Sequence, residues 1–303
     1  MTSELRRRSI FGFRFIDVAD VGSVVDALLA RQGADTAIPD AVPLVCTPNV
    51  DLLVHLERND SPSATAVARR ATYVLADGQP VVWASRLLGE PLPARLAGST
   101  LLAELWPRIV AEERPVLVIA ANERVATFIR ADHPGAVVMV APMLSRENHA
   151  MVAEFAADCT RACDATLPEF VFEAVGYPTQ YLLVGALALR WADELEPPVH
   201  FAIGASFDMY YGLRRRSPQW VQDLGMEWFF RFVQEPRRLF RRYFIDDVAF
   251  VGVIWREYRR TGRTRSPAHP SMRPPRPIGR VLPGPWGNRR RHAEDDELAK
   301  TAN

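Results

Sequence analysis

The sequence predicts an α/β protein, a Rossmann-like, mostly parallel sheet flanked by helices, with a basic helical appendage at its C-terminal side. Three observations carry that expectation. Short apolar runs alternate with amphipathic stretches between residues 10 and 203, the pattern of strands joined by crossover helices. The run Pro115-Val116-Leu117-Val118-Ile119-Ala120-Ala121 is apolar throughout, as a strand covered on both faces must be. Polar clusters recur where such runs end, and in open α/β sheets the carboxyl ends of the strands line the ligand crevice.

In chain order, Ile10 to Asp17 reads as a strand. Val21 to Ala30 reads as a helix with Val24, Val25, Leu28 and Leu29 on one face. Pro43 to Cys46 is a short buried strand ending in Thr47-Pro48-Asn49, with helices at Val50–Arg58 and about Ser63–Arg70. The unit Ala71 to Thr100 follows. There the β-prone run Thr72-Tyr73-Val74-Leu75 leads into Ala76-Asp77-Gly78-Gln79-Pro80, and a helical pattern begins at Val81. Asp77 therefore stands at a strand-to-helix junction, where an acid either caps the helix or does chemistry. Further helices are expected at Leu101–Ala111, Arg124–Ala131, Met151–Cys163 and Thr179–Trp191, and further strands at Ala136–Val140, Phe170–Val175 and Val199–Ile203.

After Asp208 the composition changes. Residues 210–261 are rich in arginine and aromatics and read as helices broken at Pro218 and Pro236. Residues 262–303 hold many prolines and charges with few large apolar side chains, the composition of a disordered tail. The expected division is 1–209 for the catalytic domain, 210–261 for the appendage and 262–303 for the tail. No internal repeat is apparent.

Composition bounds the rest. A chain of 303 residues with 48% hydrophobic content can bury a substantial core. The net charge of +1 conceals an asymmetry, because Lys300 is the only lysine and arginines crowd toward the C-terminus. Cys46, Cys159 and Cys163 form no CxxC pair, so reduced thiols in an intracellular protein are expected, with Cys159 and Cys163 as packing residues. No apolar segment follows Arg6-Arg7-Arg8 as in a signal peptide, and the late apolar run Val248–Trp255 is far short of the roughly 20 residues needed to span a bilayer. His55 reads as a satisfied helical residue, Trp83 and Trp228 as core, and Tyr210-Tyr211 as packing or as a platform for a sugar ring.

Four polar clusters fall at strand ends: Thr47/Asn49, Asp77, Gly176-Tyr177-Pro178-Thr179-Gln180, and Gly204 to Asp208. In order and wording they resemble the WecG/TagA/CpsF glycosyltransferases, also called glycosyltransferase family 26. The resemblance runs from about Leu44 to Tyr243, through ADGxxVVWASRLLGxPLPxRLAGS at 76–99, GxPxQ at 176–180, and FDxxxGxxxRxPxWxxxLGxEWxxRxxxEPRRLxRRY ending at Tyr243.

That resemblance implies transfer of an N-acetylhexosamine or related sugar, with inversion, from a UDP-sugar to a polyprenyl-diphosphate-linked sugar at the cytoplasmic face of a bacterial membrane. It implies Asp77 as general base and Thr47 and Asn49 as residues lining the acceptor and base pocket. Arg95 and Gln180 are implied as donor contacts, and Arg231, Arg238 and Arg241 as the trio completing the site over the diphosphate. Neither a metal nor a cofactor is expected: Asp246-Asp247 reads as a solvated pair, and an arginine fork suits a diphosphate. The aromatic and basic late segment is equally suited to an anionic membrane surface, and truncation after Tyr210 is expected to abolish both activity and membrane association. Self-association is compatible with the sequence.

Two positions depart from the family pattern. Tyr181 stands where an acid usually follows the glutamine, and Ala120-Ala121-Asn122 replaces a glycine-rich turn. They motivate a rival reading, a catalytically silent sugar-nucleotide-binding or membrane-surface protein on the same fold. A dinucleotide-binding oxidoreductase is disfavoured because no GxGxxG follows the first strands.

Overall fold

The computed structural model describes residues 5–144, 148–213 and 247–261. Among the described residues one sheet of eight strands runs in the order β1-β2-β4-β3-β8-β7-β5-β6. These are β1 (Arg7–Ile10), β2 (Phe13–Ile16), β3 (Val42–Cys46), β4 (Ala71–Val74), β5 (Val116–Ala120), β6 (Val137–Val140), β7 (Phe170–Ala174) and β8 (Val199–Ala202). All neighbours pair in parallel except β1 with β2.

Ten helices are described: α1 (Gly22–Leu29), α2 (Val50–Arg58), α3 (Pro62–Arg69), α4 (Gln79–Leu87), α5 (Gly98–Ala111), α6 (Glu123–Asp132), α7 (His149–Ala162), α8 (Thr179–Arg190), α9 (Ser206–Tyr210) and α10 (Asp247–Thr261). They cover both faces, as a doubly wound sheet requires. One core, with Val81, Leu53, Phe155 and Leu183, lies under α2, α3, α4, α7, α8 and α10. The other, with Leu28, Leu105, Ile129 and Phe207, lies under α1, α5, α6 and α9. Strands β5 and β7 are buried at every residue.

Two expectations are corrected. The strand expected over Ile10–Asp17 is the second arm of a hairpin. Phe11 and Gly12 both take positive φ, 53° and 70°, the two-residue turn that matches strand twist. The positive φ favours glycine at residue 12. Trp83 is not core. With Val81, Val82, Ala84 and Ser85 turned inward, the 100° step of the helix carries residue 83 to the outer face, where it is 49% exposed. The late apolar run at Val248 falls in helix α10, in keeping with the helical reading of the late segment.

Helix α10 is built into the main core. Phe250 and Val253 are buried, Phe250 packs 5.8 Å from Phe11, and the buried Glu257 carboxylate accepts the Phe11 N–H at 3.0 Å. The last helix is thereby fastened to the first hairpin. The rest of the expected appendage and the expected tail, 214–246 and 262–303, fall outside the described residues.

Candidate active site

Strands β4, β3, β8 and β7 are consecutive in the sheet, so their four exit loops are neighbours. After β3 the chain passes to α2 on one face; after β8 it passes to α9 on the other. Connections leaving adjacent parallel strands toward opposite faces open a crevice between them.

The exits of β3 and β4 stay zipped beyond the strands. The Leu75 N–H donates to the Cys46 carbonyl at 2.9 Å and the Asp77 N–H to that of Pro48 at 3.1 Å. Asp77 is thus fixed beside Thr47-Pro48-Asn49, and an ideal Cβ on Gly78 would stand 3.9 Å from the Asn49 Cβ. Helix α4 starts at Gly78 without a side-chain cap. The Asp77 side chain is half-buried.

Arg95 reaches the same place by a longer route. The buried Ser85 hydroxyl donates to the Val82 carbonyl at 2.8 Å and accepts the Leu92 N–H at 2.9 Å, turning the chain back after α4. The Leu96 N–H then donates to the Ala76 carbonyl at 2.8 Å, laying Arg95 alongside Ala76-Asp77. Two residues later α5 begins. An ideal Cβ on Gly98 would come within 3.3 Å of the Thr47 Oγ1 and 3.8 Å of the Ser206 Oγ. Gly98, which sequence reasoning did not single out, and Ser206, of the Gly204–Asp208 cluster, thus join the exits of β3 and β8; the AGS at the end of the long motif was the available signal for Gly98.

On the far side, the Gln180 Oε1 accepts the Gly204 N–H at 3.2 Å, which ties the exit of β7 to that of β8. Gly204 has φ 53°. Tyr177, in the same loop as Gln180, stacks on His55 of α2 at 4.7 Å, and His55 in turn contacts Asp60 at 2.6 Å. His55 is therefore satisfied, as expected.

Thr47, Asn49, Asp77, Arg95 and Gln180 are all brought to one carboxyl edge. Arg231, Arg238 and Arg241 lie outside the described residues. Asn49 also has a structural duty, since its Oδ1 accepts the Leu52 N–H at 2.9 Å as the cap of α2. We expect Asn49→Ala to lose about 1 kcal/mol in denaturant unfolding and Asn49→Asp to retain nearly all of it, because aspartate caps as well.

The two departures have definite places. Tyr181 faces the core and shares a 3.3 Å hydrogen bond with the Cys46 Sγ. Burial pushes its phenol well up and the Cys46 thiol up to about 12, so both stay neutral. Tyr181 does not occupy the crevice. Asn122 caps α6 by accepting the Val125 N–H at 3.1 Å, which consumes a donor that a glycine-rich turn would leave for phosphate. By contrast α4, α5 and α8, which all begin at the crevice, have no side-chain cap. The positive ends of three helix dipoles make that edge electropositive.

Tyr210 and Tyr211 pack. Tyr211 stacks on Phe128 at 5.3 Å and donates to Asp132 at 3.1 Å. Cys159 on α7 and Cys163 at its C-cap are buried thiols. Among the described residues no group of three or more His, Cys, Asp or Glu side chains could hold a metal ion, and no helix is long and apolar enough to cross a membrane.

A family model described as the WecG/TagA/CpsF glycosyl transferase family matches residues 8–264. Similar proteins include an N-acetylglucosaminyldiphosphoundecaprenol N-acetyl-β-D-mannosaminyltransferase of Bacillus spizizenii, 27% identical over 61% of this chain and 69% of its own length. A protein of the same name from Bacillus subtilis is 26% identical over 61% of this chain and 70% of its own. One from Staphylococcus aureus is 24% identical over 57% and 65%.

Proposed function

Because the chain belongs to the WecG/TagA/CpsF glycosyltransferase family, we propose that it is an inverting transferase that uses a UDP-sugar. In this reading it moves an N-acetylhexosamine of the N-acetylmannosamine kind to an undecaprenyl-diphosphate-linked sugar, in the building of a bacterial surface polysaccharide or teichoic acid. The observation that carries the proposal is Asp77. It is held by backbone bonds beside Thr47 and Asn49 and alongside Arg95, at the carboxyl edge of the sheet.

The chemistry follows from that placement. The acceptor hydroxyl gives its proton to an Asp77 carboxylate oxygen while its oxygen attacks the anomeric carbon on the face opposite the nucleotide. The bond from that carbon to the UDP oxygen breaks, and its electrons go to the diphosphate. The developing charge is met by the electropositive helix starts and by Arg95, with Arg231, Arg238 and Arg241 assigned to the same task and no metal required. Gln180, its carbonyl occupied by Gly204, presents its amide N–H groups to the donor.

The decisive experiment incubates the protein with a panel of UDP-sugars and a synthetic lipid-diphosphate N-acetylhexosamine. We expect UDP release that requires both substrates and survives chelation. Binding without release would instead favour the silent sugar-nucleotide-binding reading.

The lipid-linked acceptor calls for a membrane contact, and α10 offers one. Val251, Trp255 and Tyr258 are 66%, 54% and 48% exposed on its outer side, with the Arg259 guanidinium 5.0 Å from the Trp255 ring centroid. Aromatic rings interleaved with arginine suit an anionic interface. We expect Trp255→Ser with Tyr258→Ser to weaken sedimentation with anionic vesicles by on the order of tenfold while leaving unfolding unchanged, since neither ring is in the core.

A further inference from the structure

Strands β7 and β8 part company before they end. Their ladder runs through Phe170↔Val199, Val171↔His200 and Phe172↔Phe201 and stops there. Meanwhile β7 stays with β5 to Ala174 and β8 stays with β3 to Ala202. The split opens toward the crevice and separates the loop carrying Gln180 from the loop carrying Gly204.

A side-chain rung spans the split where it begins. The Glu173 Oε1 lies 2.7 Å from the His200 Nδ1, with one proton between them, and the Glu173 Oε2 accepts the Phe201 N–H at 3.2 Å. Both side chains are buried, at 0% and 1% exposure, on the sheet face shared by Val171 and Ala202. The Trp191 ring lies 6.2 Å from the imidazole. Neither residue reaches the crevice.

An ionisable pair buried in an apolar core does not owe its place to stability, since apolar residues of similar volume do as well or better there. Its effect is on geometry. The Glu173 rung holds β7 to β8 below the split, and the Gln180–Gly204 hydrogen bond holds their loops together above it. We propose that Glu173 and His200 are positioning residues that set the separation of these two loops and thereby the aim of the Gln180 amide at the UDP-sugar. The consequence for the donor rests on the function proposed above; the consequence for the loops does not.

The test compares Glu173→Gln, which can still accept the Phe201 N–H and donate to the imidazole, with Glu173→Met, which can do neither. The Gly204 amide, as the donor to Gln180, reports loop position by hydrogen exchange. We expect its exchange to accelerate at least tenfold in the methionine variant and to stay within about threefold of wild type in the glutamine variant. In the transferase assay, the methionine variant should raise KM for the UDP-sugar about tenfold with kcat within about twofold. The glutamine variant should restore KM. Should Glu173→Met fail to fold, the double variant Glu173→Met/His200→Phe removes both ionisable groups, leaves no unpaired charge, and carries the same expectations. Unchanged Gly204 exchange in the folded methionine or double variant overturns the proposal, as does an unchanged KM. If wild type turns over no UDP-sugar, the proposed function fails and the exchange comparison alone decides the positioning claim.

Discussion

Asp77→Asn is expected to fold as wild type does and to lose turnover by about 10²–10⁴-fold, the range a positioned general base supplies. The amide keeps the size of the carboxylate and, being uncharged, cannot take the acceptor proton. Folding should survive because backbone bonds place residue 77, its own N–H to Pro48 and the Leu96 N–H to the preceding carbonyl, and asparagine keeps the shape and the acceptor oxygen of the side chain. Asparagine also caps helices as well as aspartate does, so any contact of this side chain with the start of α4 is kept. The loss should fall on kcat with little change in donor KM, because Arg95, Gln180 and the uncapped helix starts are untouched. Measurement of kcat and KM together with the unfolding midpoint separates the cases. Near-normal turnover in a folded Asp77→Asn protein would remove Asp77 as the base.

Much of this arrangement is written locally. A run such as Val116–Ala120 can only be an interior strand, and polar residues at the ends of such runs must gather at one edge once the strands are parallel, which brought Thr47, Asn49, Asp77 and Gln180 to a common crevice. What escapes the sequence is long-range. Nothing local says that β3 lies between β4 and β8, so the contact of Gly98 with Thr47 and Ser206 could not be read. Nor could the pairing of Glu173 with His200, each a lone polar residue in an apolar run, 27 positions apart. The errors have physical causes too. The tight turn at Phe11-Gly12 hides in a continuous β-prone run because glycine there serves a positive φ without breaking the pattern. Trp83 looks like core by size, yet the phase of its helix turns it outward. Asn49 shows how one side chain can cap a helix and face a crevice, two duties that residue type alone does not distinguish.

The second large effect is expected in alkali. Burial raises the thiols of Cys46 and Cys159 from 9.0 to about 12 and that of Cys163 to about 11, with the phenols of Tyr73 and Tyr181 also raised. A raised folded value means that the fold prefers the neutral group. Below pH 9 both folded and unfolded chains carry neutral thiols and the full stability is present. Above it only the unfolded chain ionises, and stability falls until the folded group ionises as well. For Cys46, three units at about 1.4 kcal/mol each amount to about 4 kcal/mol lost between pH 9 and 12. A domain holds only about 5–15 kcal/mol in all, so with Cys159 adding a comparable loss the protein should give up a large part of its stability, on the order of 5 kcal/mol, by pH 11. Denaturant unfolding in reducing buffer from pH 8 to 11 should show this decline. Cys159→Ala should make the slope shallower by about 1.4 kcal/mol per pH unit, at the cost of a small cavity that lowers stability equally at every pH. A stability that stays level from pH 8 to 11 would mean that these thiols are open to water and that the sheet beneath α7 and α8 is not closed as described.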